Sequence, residues 1–175
     1  MNDVGDRDTI KEYEDRWVLQ PMRGSRVVRT IWHTGEVEFV TDRSFRIVVG
    51  LGAEMAYGSI AEDAPGRHAL TYWPQAEVER MVSAPILSPV LFKSGGLRIA
   101  LGNGWRLIVP ERGPEVSAMV FFEDTLMWDR SEVFSPAVFP IAAIDPWTGQ
   151  RIVAPPWPPR PDDLSVGTNS DDING

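Results

Sequence analysis

The feature that most constrains this chain is the run RVVRTIWHTGEVEFVTDRSFRIVVG, residues 26–50, where apolar and polar side chains alternate through two turn signals. Alternation with a period of two sends successive side chains to opposite sides of a pleated strand, so the run predicts strands with one buried face. A two-residue turn at Thr34-Gly35 sets Trp32 opposite Val37, Thr30 opposite Phe39 and Val28 opposite Thr41. A three-residue loop at Asp42-Arg43-Ser44 sets Thr41 opposite Phe45, Phe39 opposite Ile47 and Val37 opposite Val49. Both turns assign the same residues to one face, and a slip of one position would turn all of them outward. Arg29, Glu36, Glu38 and Arg46 share the other face, a charge set suited to water. The run therefore predicts a three-stranded antiparallel meander with one wet side.

Weaker strand signals follow at Glu54–Ile60 and His68–Tyr72, with a turn over Glu62–Gly66. The stretch WPQAEVERMVSAP, residues 73–85, predicts the principal helix. Pro74 suits the first helical position, Pro85 forbids continuation, and Val78, Met81 and Val82 form one apolar stripe. At about three turns such a helix needs a sheet to hold it.

A second β block opens with LRIALGNGWRLIVP, residues 97–110. A two-residue Asn103-Gly104 turn would put Arg106 on the face of Ile99 and Ile108. A three-residue Gly102-Asn103-Gly104 loop gathers Leu97, Ile99, Leu101, Trp105, Leu107 and Val109 on one face, with Arg98 opposite Ile108 and Arg106 opposite Ala100. Burial of a lone guanidinium is costly, so the second register is expected, with both arginines on the solvated back. Next, SAMVFFEDTLMWD predicts a hairpin about Glu123-Asp124, with Met119, Phe121, Leu126 and Trp128 on one face and Val120, Phe122 and Met127 on the other. Both faces are apolar and call for cover, from residues 131–144 or from a second subunit.

From Asp145 onward dense proline gives way to small polar and acidic residues, which reads as an extended segment running into a disordered end. The expected organisation is an acidic leader over 1–15, a single domain over 16–144 and a Pro-rich, acidic tail over 145–175. The expected fold class is α+β: mainly antiparallel sheet in two β meanders, one principal α-helix and an extended tail.

The formal net charge of −8 sits mostly at the two ends. Residues 160–175 carry Asp162, Asp163, Asp171 and Asp172 against Arg160 alone. An acidic chain without a basic stripe is a poor binder of phosphate backbones, so no nucleic-acid partner is expected. No run approaches the roughly 18 apolar residues of a membrane span, and the first 25 residues lack an apolar stretch, so neither a membrane span nor a signal peptide is expected. With no cysteine in the chain, disulfides, thiolate metal sites and cysteine nucleophiles are excluded. A cytoplasmic protein is the simplest expectation.

Candidate chemistry is sparse. His33 and His68 are the two histidines, and neither has a second ligand at metal-binding spacing, so no metal or other cofactor is expected. The pairs Glu36/Glu38, Glu77/Glu79 and Glu123/Asp124 fall on wet faces or in a turn, where solvated acids belong. No G-x-S-x-G elbow is present. The string GLGAEM, residues 50–55, has two glycines of a dinucleotide fingerprint but lacks the third and the following helix, so a bulge or strand end explains it better. Pro155, Pro158 and Arg160 have the spacing of a polyproline II ligand, while a tail that folds Trp147 and Trp157 onto its own domain fits equally.

Two motifs carry a family resemblance: Gly35-Glu36-Val37-Glu38-Phe39, and Gly95-Gly96-Leu97-Arg98-Ile99 followed by Gly104-Trp105-Arg106-Leu107-Ile108-Val109-Pro110. In these, residues 20–130 resemble small uncharacterised actinobacterial domain proteins. The chain departs from them after Pro110, where Glu115-Val116-Ser117-Ala118 replaces a Tyr-Glu-x-Trp-like stretch. The resemblance implies an immunity or toxin-neutralising role and supplies no catalytic residues.

The function expected is a non-enzymatic protein-binding module, with a toxin-like partner or self-association. Its candidate contact residues are Phe122, Met127, Trp128, Arg98, Arg106 and Trp157. The alternatives are a β-rich ligand-binding or enzymatic domain, whose Arg98, Arg106, Glu38 or His68 converge in a pocket, and a structural homo-oligomer.

Overall fold

The computed structural model describes residues 8–59, 61, 63–111, 116–130, 139–145 and 147–153, the last three as backbone alone. Within them the chain is mostly sheet, in two layers. The larger sheet has nine strands in the order β14 (Arg151–Val153), β13 (Ile141–Ile144), β1 (Ile10–Glu12), β2 (Arg16–Leu19), β8 (Ile86–Phe92), β9 (Leu97–Leu101), β10 (Trp105–Val109), β6 (Glu54–Tyr57) and β7 (His68–Ala69). The smaller has five, ordered β12 (Thr125–Asp129), β11 (Ala118–Phe122), β5 (Phe45–Gly50), β4 (Glu36–Thr41) and β3 (Val27–His33). Among the described residues the pairings are antiparallel apart from β1 with β13, and there is one α-helix, α1 (Gln75–Met81). This is the mainly antiparallel α+β class that the alternation predicts.

The core lies between the two sheets. Phe39, Phe45, Ile47 and Val120 of the smaller sheet share one buried cluster with Ile86, Leu91, Leu97 and Leu107 of the larger. Burying each such side chain contributes about 1.5–3 kcal/mol. A gap of about 10 Å³, lined by Phe39, Ile47, Val82, Ile86, Ile99 and Leu107 among others, is wholly apolar and no larger than one water.

The meander β3-β4-β5 has the predicted registers, with Thr30 opposite Phe39 and Phe39 opposite Ile47. One departure is a bulge between Val27 and Arg29, which pairs Val27 rather than Val28 with Thr41 and leaves Val28 63% exposed. The β9-β10 hairpin adopts the three-residue loop, with Arg106 opposite Ala100 and Arg98 opposite Ile108. Gly104, at φ +90°, makes that loop possible, and Tyr57 lies so near that a Cβ there would sit 2.8 Å from its ring.

Several expectations need correction. The 97–109 and 117–129 hairpins do not form a second meander: the first joins the larger sheet, while β11 pairs with β5 in the smaller. The second hairpin bulges between Val120 and Phe121, so Trp128 pairs with Val120 and turns into the core. Strand β8 was not among the expected elements; it contains Pro89, bulges between Ile86 and Ser88 and still joins β2 to β9. The helix is two turns rather than three, with Pro74 as its N-cap and Val82 as its C-cap. Residues 10–12, expected in a leader, are an inner strand whose Ile10 is fully buried between Leu19 and Ile141. Residues 151–153, expected in the tail, pair with β13.

Candidate functional site

The candidate contact residues do not form one surface. Met127 and Trp128, expected at a contact face, are 1% and 3% exposed: the β11-β12 bulge turns Trp128 inward, and Met127 belongs to the same buried cluster. Phe122 is half-buried, packed against Phe45 and Phe139 with ring centroids 5.0 and 4.8 Å away. Trp157 lies outside the described residues. Arg98 and Arg106 lie on the outer face of the larger sheet, half-buried rather than freely solvated. The guanidinium of Arg98 is held below the usual arginine range, first by burial and then by the positive neighbours Arg16 and Arg106.

Of the four residues considered for a pocket, Arg98 and Arg106 are neighbours on one face, while Glu38 and His68 lie elsewhere. Glu38 is on the outer face of the smaller sheet, where its carboxylate lies 3.1 Å from His33 Nε2 and 3.1 Å from Arg46 Nε. Arg46 in turn stacks over Phe121 at 4.5 Å, so this apolar face is partly roofed by its own charged side chain. His68 sits at the far edge of the other sheet, remote in the strand order from Arg98. The Gly50-Leu51-Gly52 segment ends β5 and packs beneath Val116, whose Cγ2 lies 2.9 Å from where a Cβ on Gly52 would be; close approach accounts for that glycine.

What the fold does assemble is a ledge of aromatic rings at the β9-β10 turn end of the larger sheet. Trp105 opens β10 and pairs with Tyr57 at the end of β6, their centroids 5.5 Å apart. Trp73, just before α1, meets Trp105 edge to face at 5.6 Å and donates its Nε1–H to the His68 carbonyl at 3.3 Å. Tyr72 stacks on His68 at 3.9 Å. The two tryptophans are half-buried against the core, while Tyr57 and Tyr72 are 63% and 64% exposed. Edge-to-face packing fixes the rings without filling their outer surfaces, so the ledge offers rigid apolar area with hydroxyls at its rim.

Sequence reasoning missed this ledge. The string TYWP and the post-turn Trp105 were visible, but the pairing of β6 with β10 joins residues roughly 50 positions apart and leaves no local signal. No family model matches the chain, and neither does any curated protein or solved structure. Among the described residues no cluster of side chains has a metal-binding arrangement, and no helix is long and apolar enough to cross a membrane.

Proposed function

We propose that this chain is a non-enzymatic protein-binding module, an immunity-type inhibitor that neutralises a toxin or effector in the cytoplasm. The observation that carries the reading is the aromatic ledge. Tyrosine and tryptophan dominate the energetics of protein interfaces because they bury large area with few rotatable bonds, and Tyr57 and Tyr72 present that area already ordered by Trp73, Trp105 and His68. The net charge of −8 would steer a basic partner toward the chain and speed encounter. The resemblance of residues 20–130 to immunity-like proteins favours the inhibitor role over other binding roles.

The test is co-purification from the native host at native abundance, with the parent chain beside a Tyr57→Ala/Tyr72→Ala variant. A partner held by the parent and lost by the variant supports the proposal. A chain that emerges alone and monomeric, or a partner held equally by both, counts against it. A second reading, a homo-oligomer, rests on the outer face of the smaller sheet, where Leu126 is 38% exposed beside Phe121. Light scattering of the purified chain decides that reading.

A further inference from the structure

Three loops lie side by side at one end of the larger sheet. Strand β1 runs parallel to β13, with Glu12 beside Ala143, so the Glu14-Asp15 turn and the β13-β14 turn emerge at the same end. Arg16 opposes Phe92, which brings the β8-β9 turn there as well. The aromatic ledge occupies the opposite end of the strands, at the β9-β10 turn. The β13-β14 turn is tied down yet carries its largest side chain outward. Asp145 donates its N–H to the Gln150 carbonyl at 2.9 Å, and Gly149 donates to the Asp145 carbonyl at 2.8 Å. The Asp145 carboxylate accepts from the Trp147 amide at 2.8 Å. Trp147 is nonetheless 93% exposed, and Tyr13 on the neighbouring loop is 37% exposed. Indoles are buried in most proteins, and a fixed turn that holds one in water leaves about 150–250 Å² of apolar area uncovered.

We propose that this loop end is a docking surface for a cationic segment of a partner protein, whose arginine or lysine side chains lie over Trp147 and Tyr13 with Glu14 and Asp145 beside their charges. Charge complementarity selects the occupant. The cations at this end are already engaged: Arg16 donates to Asp15, and Lys93 Nζ lies 3.3 Å from Glu12 and over the Trp17 ring. Glu14 is exposed, and neither it nor Asp145 makes an ion pair among the described residues. Two carboxylates therefore stand uncompensated on the same loops as the two exposed rings. A guanidinium or ammonium over an indole or phenol face is held by the ring quadrupole, and flanking carboxylates add charge-assisted hydrogen bonds. A second copy meeting this end with its own would bring the same acids to the contact, and anionic headgroups would be repelled by them. The turn's hydrogen bonds leave Trp147 little backbone freedom to lose on docking, which suits an anchor.

The test titrates hexa-arginine into the isotope-labelled full chain at physiological salt and follows the indole N–H peak of Trp147, identified by its loss in Trp147→Ser. The expected result is a saturable shift of that peak. Trp147→Ser and Glu14→Gln should each weaken the peptide at least fivefold by calorimetry and leave the thermal midpoint unchanged, because both side chains are exposed. An unmoved Trp147 peak would overturn the proposal. So would an affinity that ignores both variants, since the peptide would then sit on the aspartates of residues 160–175. A peak that moves with protein concentration alone, or with phosphatidylcholine vesicles alone, assigns the tip to a second copy or to lipid and overturns it too. The ledge is absent from this measurement: Tyr57→Ala/Tyr72→Ala should leave the titration unchanged, and loss of the peptide in that variant would place it on the ledge instead. A missing ledge partner therefore leaves this result standing, and the reverse holds.

Discussion

Ile10 shows how much one side chain outside the obvious pattern can matter. The acids around it read as a leader, yet it is fully buried between Leu19 and Ile141. Ile10→Ala should therefore cost about 2–5 kcal/mol, measured by urea denaturation, whereas a residue in a solvated leader would cost almost nothing. Asp15 gives a pH-dependent case. Its two oxygens accept hydrogen bonds from Arg16 at 3.0 and 2.8 Å, and this contact holds its carboxyl below the usual carboxylate range. A lowered folded-state value means the pair contributes above about pH 4 and is lost as pH falls through the folded value. The side chain is 61% exposed, so the gain is small, at the low end of about 0.2–1 kcal/mol. Asp15→Asn should lower the midpoint of thermal unfolding slightly at pH 7 and leave it nearly unchanged at pH 2.

Among the elements, the legible ones are those whose partners are neighbours in sequence. The β3-β4-β5 meander and the β9-β10 hairpin have short turns, so alternation and turn length together specify register. Elements with distant partners were read less well. Strand β8 hides behind two prolines, and β13 joins β1 across about 130 residues. The β11-β12 bulge, which moves Trp128 into the core, has no signature in an all-apolar hairpin where either face accepts either residue. A consequence follows for β13 and β14. A chain ending at Ser135 loses both strands, opens the β1 edge and uncovers Ile10. Its thermal midpoint should fall by roughly 5–15 °C relative to a chain ending at Val153, as read by differential scanning calorimetry.

For the molecule as a whole, the two large surfaces differ in kind. The aromatic ledge is ordered and exposed, as a contact surface should be, while the outer face of the larger sheet is already largely withdrawn from water. Tyr57→Ala/Tyr72→Ala should therefore leave folding stability within about 1 kcal/mol of the parent while weakening partner binding by at least tenfold, measured by calorimetry once the partner is in hand. Association should also slow as salt is raised if acidic steering contributes to encounter. Of the candidate contact residues named from sequence, Met127 and Trp128 became core, and Phe122 became a half-buried packing residue. An apolar side chain reads the same in sequence whether it faces a partner or its own second sheet.

The sequence by itself determined the local grammar of this protein: strand after strand of alternating residues, turn lengths that set register, and the assignment of Arg98 and Arg106 to the face away from the core. Those follow from steric and burial costs acting over a few residues. Only the tertiary structure decided which hairpin joined which sheet, that residues at both acidic ends supply strands, and that Tyr57, Tyr72, Trp73 and Trp105 stand together. Those depend on contacts between distant segments, whose gain appears only after the entropy of closing long loops has been met, and no local pattern encodes it.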